Sequence, residues 1–106
     1  MVKSFICGVE GHQLTHAERD FLEREQPYGV ILFARNILNP AQLRALVHSI
    51  KVALGHPFAN VLIDQEGGRV ARLRPPHWRA YPPALELAKR PDAARAIYVN
   101  ARMIAE

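Results

Sequence analysis

Residues 29–34 read GVILFA, six positions without a polar side chain. A strand with one wet face alternates apolar and polar residues, so an unbroken apolar run this short predicts a strand covered on both faces, as in a parallel sheet. Upstream, residues 4–9 (SFICGV) read as a first strand, and residues 11–14 as a polar turn into a helix. Thr15 followed by Glu18 is a capping-box signal, Ala17, Phe21 and Leu22 supply the apolar face, and Pro27 ends the helix. Downstream, Asn39-Pro40 offers an N-cap and a proline at the first helical position. Leu43, Leu46, Val47, Ile50 and Leu54 then recur at helical spacing up to Gly55, a natural C-cap. A third strand is predicted over 60–64. Residues 65–83, with Pro75, Pro76, Pro82 and Pro83, read as a long irregular stretch, and a last helix over 84–106 is interrupted near Pro91, with Ile97, Ala101 and Ile104 on one face.

The order β-α-β-α-β-loop-α predicts an α/β fold with parallel strands and right-handed crossovers. The strands are expected in the order 1-2-3, with Phe5, Ile6, Val30, Leu32, Val61 and Ile63 buried and the helices on one face. The 106 residues, 49% hydrophobic, fit one domain with a core. The net charge of +4 is a modest excess. Arg69, Arg72, Arg74 and Arg79 with His77 and Trp78 form a basic and aromatic cluster, but it adjoins an acidic loop, which argues against a nucleic-acid partner. Cys7 is the single cysteine, so no intrachain disulfide can form and a reducing compartment fits. The apolar start breaks at Gly8 and Glu10, too short for a secretory or membrane-spanning segment, which predicts a cytoplasmic protein without a membrane partner.

The chemistry concentrates in residues 62–73, LIDQEGGRVARL, where the third strand runs into two acids, a glycine pair and two arginines. Ligand sites of parallel sheets lie at the carboxyl ends of the strands, which is where Asp64 falls. Asp64 and Glu66, two apart, could form an acid/base pair on extended backbone, but the Gly pair bends the chain, and hydrogen bonding by Asp64 is the simpler role. Gly67-Gly68 could offer backbone N–H groups to an anion, yet neither GxGxxG nor GxxxxGK[ST] is present, and a turn with positive φ explains the pair. His12, His16, His48, His56 and His77 show no metal-ligand spacing, no GxSxG elbow exists, and no metal or other cofactor is called for. Trp78 could stack on a sugar face or anchor its proline-rich loop on the core.

GVILFARNI (29–37), NPAQLRALVHSI (39–50) and LIDQEGGRVARLRPP (62–76), followed by a Pro-Pro pair and a helix, resemble the bacterial β-N-acetylhexosaminidases of glycoside hydrolase family 3. The resemblance runs over nearly the whole chain. It implies the N-terminal part of a (β/α)8 TIM barrel, residues 1–106 stopping before the fourth strand, and an isolated piece of marginal stability with an open sheet edge. It also implies a cytoplasmic hydrolase that removes terminal non-reducing β-linked N-acetylglucosamine from muropeptides during peptidoglycan recycling. The family's sugar-binding aspartate falls on Asp64, and the second Arg of DQEGGRV-x-R, also a substrate ligand, falls on Arg72. Gln65, Glu66 and Arg69 belong to the motif without an assigned contact. The family's acid/base histidine and nucleophilic aspartate come later in its chains, so no catalytic residue is expected within 1–106. The competing expectation is a non-catalytic α/β module that holds a sugar or an anion on the 64–72 loop.

Overall fold

Three strands, β1 (Lys3–Cys7), β2 (Pro27–Leu32) and β3 (Asn60–Ile63), lie side by side and parallel in the computed structural model, which describes residues 1–105. Their order is β1-β2-β3, as the alternation of elements predicts. Helix α1 (His16–Glu25) connects the first two strands and α2 (Pro40–Leu54) the last two. Contacts gather the chain into two units, Met1–Ile63 and Asp64–Glu106, and the sheet belongs wholly to the first.

Register decides which strand residues reach the core of that unit. Cys7 pairs with Val30 and Val30 with Val61, so these three share a face, and Leu32 shares it two residues on. Leu22 from α1 and Leu46, Ile50, Ala53 and Leu54 from α2 close on that face with Val9, Val30, Leu32 and Ala59, while Cys7, Leu14, Leu43, Val47 and Val61 pack around the cluster. Each fully buried Leu, Ile or Val contributes roughly 1.5–3 kcal/mol. Ile6 pairs with Gly29 on the opposite face and is 45% exposed, which corrects its expected burial: the helices cover one face, and strand alternation turns Ile6 to the other. Phe5, Val61 and Ile63 are half-buried rather than buried.

The strand boundaries also move, for local reasons. Gln26 ends α1 in the left-handed region, φ 49°, with its N–H donating to the Leu22 carbonyl. Strand β2 therefore begins at Pro27, two residues earlier than expected, and the Gln26 carbonyl takes the Lys3 N–H at 2.8 Å. A proline is tolerated at the first residue of a strand, where its missing N–H breaks no ladder. At the other end the Phe33 N–H donates to Asn36 Oδ1 at 2.9 Å, and a 3₁₀ turn over Ala34–Asn36 stops the strand at Leu32. Asn36 is fully buried, and its Nδ2 donates to the carbonyls of Val9 and Gly11 at 3.0 and 2.9 Å, tying the loop after β1 to the end of β2. The predicted caps form: the Thr15–Glu18 box closes reciprocally, Asn39 Oδ1 accepts the Gln42 N–H, and Gly55 caps α2.

In the second unit, β4 (Gln65–Gly67) and β5 (Val70–Ala71) form an antiparallel hairpin where the sequence suggests only irregular chain. Strands of three and two residues are too short to show an alternation. The expected last helix is two, α3 (Ala84–Ala88) and α4 (Ala93–Ala105), separated around Pro91, and its expected last residue, Glu106, lies outside the described residues. Ile97 is 45% exposed, and Ala71 is the one buried apolar residue among those described in this unit. Among the described residues no helix is long and apolar enough to cross a membrane.

Candidate functional site

Asp64 is the first residue after β3, and the hairpin that follows brings Arg72 back beside it. The hairpin turns at Gly67 and Gly68, with φ of 92° and 58°, a region open to glycine at little cost. A Cβ on Gly67 would lie 2.2 Å from the Pro82 carbonyl oxygen, and the Gly68 N–H donates to the Tyr81 carbonyl at 2.8 Å. The glycine pair thus lets the Tyr81–Pro83 backbone pass against the turn, and the Gly68 N–H is committed to protein rather than to an anion. Of the two roles weighed for the pair, the structure supports the turn.

Strand β5 is only two residues long, and the hairpin ladder pairs Gln65 with Ala71 and Gly67 with Val70. Past Ala71 the Gln65 side chain takes over. Its Oε1 accepts the N–H groups of Arg72 at 2.9 Å and Leu73 at 3.0 Å, and its Nε2 donates to the Leu73 carbonyl at 3.0 Å. These bonds hold the backbone of Arg72, whose Nη2 lies 3.7 Å from Asp64 Oδ2. That separation is an electrostatic contact but too long for a hydrogen bond. The Asp64 and Arg72 side chains are 48% and 24% exposed, and an ion pair this solvated is worth about 0–1 kcal/mol. Among the described residues neither side chain makes a hydrogen bond, so the carboxylate keeps its acceptor sites and the guanidinium its donor fork.

The other singled-out residues behave differently. Glu66 and Arg69 are exposed and make no ion pair or hydrogen bond among the described residues, so no contact joins Glu66 to Asp64 in a pair. Trp78 is half-buried, edge-on to His77 with ring centroids 5.8 Å apart, and lines a cavity of about 300 Å³ with Gln65, Leu73, Tyr81 and Met103. Tyr81 donates its hydroxyl hydrogen to the Met103 carbonyl at 3.0 Å, so this loop is anchored within its own unit. Among the described residues no three His, Cys, Asp or Glu side chains are grouped to hold a metal ion. Cys7 packs against the core, and burial, with a smaller push from the Glu18 carboxylate, raises its thiol above the ordinary range. Two structural residues escaped the sequence reading: Gln65, whose partners become neighbours only once the hairpin closes, and Asn36, whose carbonyl partners lie 27 and 25 positions away.

Comparison with known proteins agrees on one kinship. No family model matches the sequence. The β-hexosaminidase of Alkalilimnicola ehrlichii is 43% identical over 95 residues, covering 87% of this chain and 27% of that protein. NagZ from Neisseria gonorrhoeae, solved in complex with N-trifluoroacetyl-D-glucosamine, superposes with a TM-score of 0.84 at 30% identity, over 94% of this chain and 30% of that one. A glycoside hydrolase family 3 β-N-acetylglucosaminidase from Paenibacillus superposes with a TM-score of 0.83 at 27% identity, over 97% of this chain and 19% of that one. The chain thus spans about a quarter of the length of the curated relative it matches.

Proposed function

We propose, from the premise that this chain is homologous to the N-terminal part of the glycoside hydrolase family 3 β-N-acetylhexosaminidases, that residues 1–106 form a sugar-holding portion of such an enzyme. Its substrate is a glycan ending in non-reducing β-linked N-acetylglucosamine, and muropeptides met in the cytoplasm during peptidoglycan recycling fit that description. Asp64 accepts hydrogen bonds from two sugar hydroxyls, and Arg72 donates its fork to oxygens on the same ring. The observation that carries this assignment is the Asp64–Arg72 arrangement: opposite charges 3.7 Å apart, with their hydrogen-bonding capacity unspent. Retaining hydrolysis also needs a nucleophile and an acid/base group about 5–5.5 Å apart on opposite sides of the anomeric carbon. Asp64 and Glu66 lie on one short segment, so binding rather than bond cleavage is assigned to these residues.

The test is a titration of the chain with N-acetylglucosamine, followed through backbone amide NMR signals. Signals of residues 64–73 should shift saturably. Asp64→Ala should weaken binding by roughly 1.5–3 kcal/mol, the worth of hydrogen bonds to a charged acceptor. Wild-type binding that survives Asp64→Ala unchanged would remove Asp64 from the site, and no binding by the wild type would remove the site itself.

A further inference from the structure

We propose that Gln65 is the positioning residue of the sugar site, the side chain that sets where the Arg72 guanidinium stands relative to Asp64. This rests on the sugar-binding role given above to Asp64 and Arg72. The backbone ladder of the hairpin ends at Gln65 and Ala71, one residue short of Arg72. A two-residue strand has little cooperativity of its own, and beyond its last rung the chain is free to swing. Gln65 supplies the missing rung with its side chain, through the bonds to Arg72 N, Leu73 N and Leu73 O.

The amide is well chosen for that task. Two N–H donors and one carbonyl acceptor converge on it, so the oxygen must face Arg72 and Leu73, and a flipped amide would set NH2 against two N–H groups. A carboxylate could receive both N–H groups but not donate to the Leu73 carbonyl, and an apolar chain could do neither. Gln65 also directly follows Asp64. Its side chain thereby holds the backbone of Arg72, on the far side of the 3.7 Å gap from its neighbour in sequence. Gln65 itself need not touch the sugar.

The experiment is an N-acetylglucosamine titration of the full chain, comparing wild type, Gln65→Leu and Gln65→Glu, with the β1–β3 amide signals as the check that the first unit remains folded. Gln65→Leu should weaken binding about tenfold, the equivalent of one lost net hydrogen bond or a little more. Gln65→Glu still accepts both N–H groups but sets a charged oxygen against the Leu73 carbonyl at pH 7, so it should lose less than Gln65→Leu there and recover toward the wild-type affinity at about pH 4, where a glutamic acid side chain is more than half protonated and can donate to Leu73. The quantity read is the variant-to-wild-type ratio at each pH, so that effects common to both proteins cancel, and Gln65→Leu at the same two pH values serves as the control. A merely structural role would give a loss without that recovery. Wild-type affinity in Gln65→Leu, or a Gln65→Glu ratio flat with pH, overturns the positioning role while leaving the sugar site intact. No binding by the wild type overturns the site and this role with it.

Discussion

A methyl group on Gly67 would sit 2.2 Å from the Pro82 carbonyl oxygen at a φ of 92°, so the position rejects a side chain both sterically and conformationally. Gly67→Ala should destabilise the hairpin by about 2 kcal/mol or more, read as loss of amide-exchange protection in residues 65–73. At Cys7 the expected effect is chemical. Burial first, and the Glu18 carboxylate second, push its thiol up, so iodoacetamide should alkylate it more slowly than a small free thiol at pH 8, and unfolding should abolish the difference. The sign for stability follows from the same shift. A folded-state value above the unfolded one means that the native state resists thiolate formation, so the contribution is intact below the unfolded value and is lost as pH rises through the alkaline range toward the folded one.

Elements here are stopped by side chains as much as by propensity. Asn36 ends β2 by accepting the Phe33 N–H, and with its Nδ2 it holds the carbonyls of Val9 and Gly11. Asn36→Leu keeps the branched shape but leaves the Phe33 N–H and the Gly11 carbonyl without their partner, while the Val9 carbonyl keeps the Arg35 Nε–H, so urea unfolding should show a loss of about 2–3 kcal/mol. This bond network also explains what the sequence could and could not reveal. The parallel strands, both connecting helices and their caps were legible because Val30, Leu46, Ile50 and Thr15 act through local periodicity or neighbours three residues away. The end of β2 was not, since Asn36 works through partners 27 and 25 positions distant, and neither was the β4–β5 hairpin, held by a glycine turn and the Gln65 side chain. The exposure of Ile6 follows from a face of the sheet that composition cannot distinguish from its covered one. At the site, Asp64 and Arg72 were singled out through the resemblance of the DQEGGRV-x-R motif. Their distance and the strut beneath Arg72 became visible only with the hairpin folded.

On the scale of the whole chain, the acids of the 64–73 hairpin are Asp64 and Glu66, two positions apart, and the role proposed for this hairpin is binding. Residues 1–106 alone should release no chromophore from a chromogenic β-N-acetylglucosaminide at any pH, measured against enzyme-free buffer. Turnover that disappears in Glu66→Gln would instead make the 64–73 hairpin catalytic. Burial is distributed unevenly along the chain. Among the described residues, every buried hydrophobic side chain except that of Ala71 lies in Met1–Ile63. Substitutions in the hairpin and the proline-rich loop therefore replace no member of the main hydrophobic core. Glu66, Arg69 and Trp78 are thus open to replacement without loss of a buried hydrophobic side chain, since none of the three belongs to the core cluster of the sheet and its two helices.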